Sequence, residues 1–273
     1  MKSFTNSLCP GHRGGRRTVL RSLRSAALAA LAAPAVGLAL MFMPALPVQA
    51  DDERPLVVVE LFTSQGCNSC PPADRLLGEL IQRDDVLGFS FHVDYWDYIG
   101  WQDTFALPIS RTRQHSYVEN VGGRYVYTPQ LVIGGREQVV GHDKAAVEAA
   151  IAANAARPMV HVSSHPTGGK GKWVVNVDPA DIDGTATVWM VTFDSRHDVD
   201  IRRGENGGRT LRYFNVVREV HRISDSWDGT TPLKIDVDMG PVWQAGHDNC
   251  AVIVQRDGYG PILGAARVVK PAT

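Results

Sequence analysis

The stretch ELFTSQGCNSCPPADRLLGEL, residues 60–80, holds two of the chain's four cysteines, Cys67 and Cys70, separated by two residues. A Cys-x-x-Cys in this setting is open to three chemistries: a working dithiol, a metal clip or a structural disulfide. Upstream, residues 56–62 (LVVVELF) are short, rich in β-branched side chains and almost wholly apolar, the pattern of a central strand buried on both faces. Downstream, residues 73–82 put Leu76, Leu77, Leu80 and Ile81 on one helical face, with Asp74, Arg75 and Glu79 elsewhere. The cysteines therefore stand between a strand and a helix.

Outward from that unit, residues 86–94 (VLGFSFHVD) read as a second strand and residues 109–121 as a weaker helix. Residues 131–133 and 138–140 flank Gly134-Gly135, and a glycine pair supplies the positive φ of a tight hairpin turn. Residues 143–156 are Ala-rich with apolar residues at helical spacing. A helix between the first two strands predicts a right-handed parallel crossover, and the hairpin makes the last two strands antiparallel. Four strands in a mixed sheet with flanking helices form a minimal thioredoxin-like core, here over residues 51–157. After Pro158 the texture changes to short strand-like runs, at 159–162, 173–177, 187–191, 233–237 and 250–255, separated by Gly, Pro, Asp and Asn. Residues 158–273 are expected to form a small, separate, sandwich-like all-β domain, giving an α/β protein with a β-rich extension.

In a strand–Cys-x-x-Cys–helix unit the helix N-terminus favours thiolate over thiol, and thiolate is the attacking species. Cys67, the first of the pair, is assigned the nucleophile and Cys70 the resolving thiol; the Ser69 hydroxyl between them is able to donate to a sulfur. Thr128-Pro129 precedes the third strand, where thioredoxin-like folds carry a cis-proline that faces the dithiol and positions a substrate backbone. Pro129 is therefore assigned to the catalytic set, with its peptide bond expected cis, and Thr128 to substrate binding. Pro71-Pro72 departs from ordinary thioredoxins. A residue before proline is pushed out of the α region, so the regular helix is expected only near Pro72, with both cysteines in the turn ahead of it. Glu60, the one acid in the first strand, either moves protons near the sulfurs or points away from them.

Residues 62–74 (FTSQGCNSCPPAD), 92–98 (HVDYWDY) and 128–130 (TPQ) resemble the domain-of-unknown-function family 1223, exported bacterial proteins with a thioredoxin-like fold; residues 204–211 (GENGGRTL) and 215–217 (NVV) fit its C-terminal part. The resemblance covers nearly all of the chain after residue 50. It implies a thioredoxin-like fold with a β-rich C-terminal extension and supplies no substrate.

The segment leaving the second strand carries Tyr95, Trp96, Tyr98 and Trp101. Ligands gather beyond the carboxyl ends of strands in open α/β sheets, so Tyr95 and Trp96 are assigned to substrate binding, as an aromatic surface for peptide. Packing against the β-rich part is the competing role for these rings. The loop 202–209 (RRGENGGR) reads either as a functional loop reaching toward the dithiol or as a hairpin turn.

Residues 1–50 contain no Asp or Glu; a basic start, an apolar run over about 26–46 and the small-residue end Val48-Gln49-Ala50 predict a cleaved secretory signal and a mature chain from Asp51. Arg16-Arg17-Thr18-Val19-Leu20-Arg21 resembles a twin-arginine export signal, with Val19 where Phe is favoured; the general secretory route and an uncleaved anchor are the alternatives. The expected location is the periplasm or the exterior, with no stable membrane anchor after cleavage. The formal net charge is −1. The removed segment is basic, so the remainder is acidic, without a basic patch, and nucleic acid is excluded as an expected partner. No cofactor is expected. With Cys9 removed, Cys250 is left over, and its strand-like surroundings mark it as a buried core thiol.

The function read from these features is thiol–disulfide exchange on protein or peptide thiols. The rival is a non-catalytic binding protein in which Cys67–Cys70 is a static clip. Burial of both sulfurs beneath the C-terminal part would favour the clip, and an exposed Cys67 sulfur would favour exchange. A third reading, copper handling by the cysteines with His92, His115 or His142, lacks a fixed ligand spacing, and no metal is assigned.

Overall fold

The computed structural model describes residues 55–169, 171–247 and 249–268; the expected signal segment, 1–50, lies outside them. β1 (Val57–Thr63) is buried along its whole length and pairs in parallel with β2 (Val86–His92), joined by α1 (Pro71–Leu80). α2 (Pro108–Asn120) follows a loop containing a short 3₁₀ turn at Asp97–Ile99. β3 (Gln130–Ile133) runs antiparallel to β1 and is joined to β4 (Glu137–Val140) by the expected hairpin, with φ of 58° at Gly134 and 65° at Gly135. α3 (Lys144–Ala155) is capped by Asp143, whose side chain accepts the Ala146 N–H at 3.1 Å. Val57, Val59 and Leu61 face α1 and α3, while Val58 and Phe62 face the other layer, so the period of two in a continuously apolar strand serves two cores.

The helix after the cysteines starts earlier than the proline rule predicts. Cys70 takes α-helical angles (φ −78°, ψ −33°) as the N-cap, and Pro71 is the first helical residue. The amides of Ala73 and Asp74 both donate to the Cys70 carbonyl, at 2.8 and 3.1 Å. Prolines at the first two helical positions cost nothing in hydrogen bonds, since those N–H groups would have no helical partner. Local geometry overrides the pre-proline preference.

The expected separate β domain is not separate. β7 (Ala186–Ile201), β8 (Arg209–Trp227), β10 (Asn249–Arg256) and β11 (Ile262–Val268) continue the sheet of the first four strands in the order β11-β10-β7-β8-β2-β1-β3-β4. The seam is a parallel contact between β2 and β8 at Ser90 and Val216, beside which Asn215 Nδ2 donates to the Gly88 carbonyl at 2.9 Å. Within the described residues, 55–268 accordingly form one compact unit. A sandwich does exist, but as a layer. β5 (Val162–Pro166), β6 (Lys172–Val177) and β9 (Leu233–Asp238) form a three-stranded sheet whose Trp173, Val175 and Val237 pack on Val188, Val252 and Val254 of the large sheet. A short helix, α4 (Gly240–Gln244), closes this layer. The boundary expected at residue 157 is thus a change of layer partner, and β2 has no free edge there because β8 pairs with it.

Glu60 has no role at the sulfurs that the fold allows it to share. It is fully buried on the α2 side, accepting from Arg113 Nε at 2.6 Å and from the Tyr117 hydroxyl; Arg113 Nη2 donates to the same hydroxyl at 2.8 Å, and Gln255 Nε2 on β10 at 2.9 Å. This buried ion pair ties β1, α2 and β10 together.

Candidate functional site

β1 ends at Thr63 and the chain turns through Ser64–Gly66 into the dithiol, with the Cys67 N–H on the Ser64 carbonyl at 3.2 Å and the Cys70 N–H on the Cys67 carbonyl at 3.3 Å. These tight turns bring the two Cα atoms to 5.4 Å, and Cys67 and Cys70 are joined as a disulfide. Ser69 Oγ lies 3.4 Å from Cys67 Sγ. Asn68 and Ser69 are exposed, yet Cys67 is 1% and Cys70 0% exposed. The tip of the β7–β8 hairpin reaches this turn. The buried Asn206 side chain donates to the carbonyls of Gln65 at 2.9 Å and Cys67 at 3.0 Å, and its own oxygen accepts from Arg209 Nη1 at 2.6 Å. The 202–209 loop is therefore both a hairpin turn and a contact on the dithiol turn. Burial of both cysteines is the outcome that weighs toward the static clip.

The Thr128–Pro129 bond is cis. Gly141 lies between Pro129 and the first turn of α1: a Cβ there would come within 3.0 Å of the Cβ atoms of both Pro129 and Ala73. Trp96 bridges the two halves of the rim. Its Nε1 donates to Thr128 Oγ1 at 2.8 Å, and a Cβ on Gly66 would lie 2.9 Å from its own Cβ, so only glycine lets Trp96 sit against the residue before Cys67. Tyr98 is 80% exposed and stacks on Trp96. Tyr95 points inward instead, toward Gln114 Oε1 at 3.4 Å, and burial raises its phenol above the usual range. Trp101 takes the packing role: it donates to Gln65 Oε1 at 2.8 Å and lies against Ile201, Leu211 and Tyr213. Of the residues assigned from sequence, Trp96 and Thr128 are joined to each other beside the Cys67 turn, and Tyr95 lies deeper.

Beneath the turn is a group that sequence reasoning missed. Asp74, placed off the apolar face by helical spacing, is 4% exposed and accepts from Thr63 Oγ1 at 2.8 Å. Burial pushes its carboxyl up to about 7, with His92 and the Thr63 bond opposing that rise. His92, at the end of β2 and in register with Thr63, bonds through Nδ1 to Asp103 Oδ2 at 2.8 Å, and both side chains are fully buried. Asp103 also accepts the N–H of Gln65 at 2.7 Å and of Phe105 at 2.9 Å. Burial alone would raise the Asp103 carboxyl, but His92 and these amides hold it below the usual range. Among the described residues His92 Nε2 and the Tyr213 hydroxyl have no hydrogen-bond partner although buried, and the two rings pack edge to face with centroids 4.7 Å apart. The one sequence signal for the group is that Thr63 and His92 close two predicted strands at the same end. Nothing local marks Asp103 or Tyr213, whereas Asn206 lies in the 202–209 loop that the sequence singled out.

His92 is thus bound to Asp103, while His115 and His142 are exposed on other elements. Among the described residues no three His, Cys, Asp or Glu side chains converge as metal ligands. Cys250 is buried in β10, and burial pushes its thiol up to about 12.

A family profile described as protein of unknown function (DUF1223) matches residues 58–255. No curated protein matches the chain. Among solved structures, an X-ray crystal structure of a structural-genomics protein from Agrobacterium tumefaciens is similar at 33% identity. The match covers 80% of this chain and 95% of that one, with a TM-score of 0.68.

Proposed function

The chain belongs to the DUF1223 family of proteins of unknown function, and from that premise we propose that it is an exported, thioredoxin-like thiol–disulfide exchange protein acting on protein or peptide thiols. The carrying observation is the position of the Cys67–Cys70 disulfide at the head of α1, beyond the carboxyl ends of β1 and β2, with the ionisable Asp74 buried below it. The strand order β2-β1-β3-β4, one parallel pair followed by an antiparallel hairpin, supports a thioredoxin-like core. Cys67 attacks or is attacked, Cys70 resolves, and Pro129 with Thr128 and Trp96 forms the edge on which an extended peptide lies. Redox direction follows from potential, which residue types do not set.

The clip reading is favoured by one observation, the burial of both cysteines. Two considerations weigh against it. Loop entropy assigns a disulfide closing so short a loop about 2 kcal/mol, less than half of what a 100-residue loop gains. An acid held buried next to the turn costs stability, and ionisable groups perturbed by burial concentrate at functional sites. The cover over Cys67 includes a hairpin tip held by the Asn206 bonds, so exchange requires that tip to lift. Export rests on residues 1–50, and N-terminal sequencing of the mature protein should begin at Asp51.

A redox titration with thiol trapping tests the proposal, together with capture by Cys70→Ser. The variant should hold a partner from periplasmic extract through a reductant-sensitive bond that disappears in Cys67→Ser. No capture, and no exchange with model peptides, would leave the clip reading in its place.

A further inference from the structure

His92 is the least explained group in the core. Its imidazole is fully buried, oriented through Nδ1 by Asp103, and left with Nε2 unpartnered. An unpaired buried polar atom costs stability, and the neighbouring Tyr213 hydroxyl carries the same burden. These groups lie where β1 and β2 end, under the dithiol turn. Asp74 connects them to it. It stands four residues after Cys70, whose angles are already helical, so the two side chains occupy the same face one turn apart. Asp103 connects them again, by accepting the Gln65 N–H two residues before Cys67.

We infer that Asp74, His92 and Asp103 form the proton store of the dithiol: Asp74 gives a proton to the Cys70 sulfur when the disulfide opens, and His92, held by Asp103, is the positioning residue that stabilises the carboxylate left behind. This rests on the exchange reading. A substrate thiol first loses its proton to solvent, and the thiolate attacks Cys67 Sγ. The new sulfur–sulfur bond forms as the Cys67–Cys70 bond breaks, and Cys70 leaves with the electron pair as a thiolate. Asp74 then transfers its proton to Cys70 Sγ and becomes a carboxylate. The balance closes when Asp74 regains one proton from solvent, the equivalent of that released by the substrate thiol. A second substrate thiol loses its proton to solvent, and its thiolate attacks the substrate sulfur of the mixed disulfide. The bond to Cys67 breaks, Cys67 leaves with the electron pair and takes a proton from solvent, and the substrate departs as its disulfide. The groups whose charge or bonding acts on Asp74 are His92, Thr63, Asp103 and Arg75, and Tyr213 feels both aspartates. Burial keeps Asp74 protonated up to about pH 7, so it holds a proton to give under ordinary conditions.

The test is the equilibrium between the oxidised protein and dithiothreitol, read by thiol trapping from about pH 5 to about pH 9, in wild type, Asp74→Asn and His92→Asn. Each proton taken up on reduction changes the equilibrium constant about tenfold per pH unit. Wild type should show a bend in the logarithm of that constant near pH 7, and Asp74→Asn should lack it. His92→Asn keeps a donor toward Asp103 and removes Nε2; because His92 opposes the rise of Asp74, its loss should move the bend to higher pH. A purely structural histidine would change stability without moving the bend. An Asp74→Asn profile identical to wild type overturns the inference. If the variants do not fold, carbon NMR of the Asp74 carboxyl in wild type replaces them: the same titration in oxidised and reduced protein overturns the inference, and a difference between the two supports it. A wild-type bend that depends on Asp74, in a protein that exchanges with no partner, would retire the functional reading and leave the proton store standing.

Discussion

Replacing Asp74 by Asn should stabilise the protein above neutrality and do little in acid. In the unfolded chain the carboxyl ionises near its ordinary value of 3.8; in the fold, burial delays ionisation to about 7. A raised acid is fully compatible with the fold below about pH 4. Between the two values the unfolded state releases the proton and the folded state does not, so stability falls by about 1.4 kcal/mol per pH unit. The difference of about three units amounts to about 4 kcal/mol, lost by pH 8. Asn is neutral throughout and its Oδ1 still accepts from Thr63 Oγ1, which lies 2.8 Å from the Asp74 oxygen. Urea unfolding of the oxidised mature protein, at about half-unit steps from pH 4 to pH 9, measures the effect as the difference between variant and wild type. The curves should coincide in acid, diverge through the interval and run parallel above pH 7, with the variant ahead. A variant that is no more stable at pH 8 than at pH 4, relative to wild type, would refute the claim that Asp74 is buried as a neutral acid.

Asn206→Ala removes two hydrogen bonds to the dithiol turn; at about 1 kcal/mol each, the uncovered state should rise roughly tenfold or more, and reduction of the disulfide by dithiothreitol should accelerate accordingly. An unchanged reduction rate would mean that the hairpin tip is not the cover that matters. Arg113→Met strands the Glu60 carboxylate in the core and should cost about 3–5 kcal/mol in urea unfolding, with much of it recovered when Glu60→Gln is added. In the reduced protein Cys67 should be alkylated faster than Cys70, while Cys250, its thiol raised to about 12 by burial, should react only on unfolding. Equal rates for all three thiols in the folded protein would remove the nucleophile assignment.

The unit around the dithiol was legible because its signals are local. A run of β-branched residues, a Cys-x-x-Cys and a leucine-rich helical face each follow from short-range chemistry, and the observed β1, α1, β2 and the Gly134-Gly135 hairpin lie within a few residues of where the pattern puts them. The long strand β8 was not legible. Its sequence, RTLRYFNVVREVHRISDSW, alternates charge with apolar residues because much of its length is exposed, and its pairing with β2 depends on partners more than a hundred residues away. Hence the expected second domain became an extension of the first sheet. The chain alone therefore determined which residues form the disulfide and which elements hold it. Only the tertiary structure decided that Asn206 reaches across the fold to bond the Cys67 carbonyl, and that Asp74, His92, Asp103 and Tyr213 are buried together. The reason is physical: desolvation and the pairing of buried polar groups are properties of the assembled core, and no spacing along the chain encodes which distant side chains will share it.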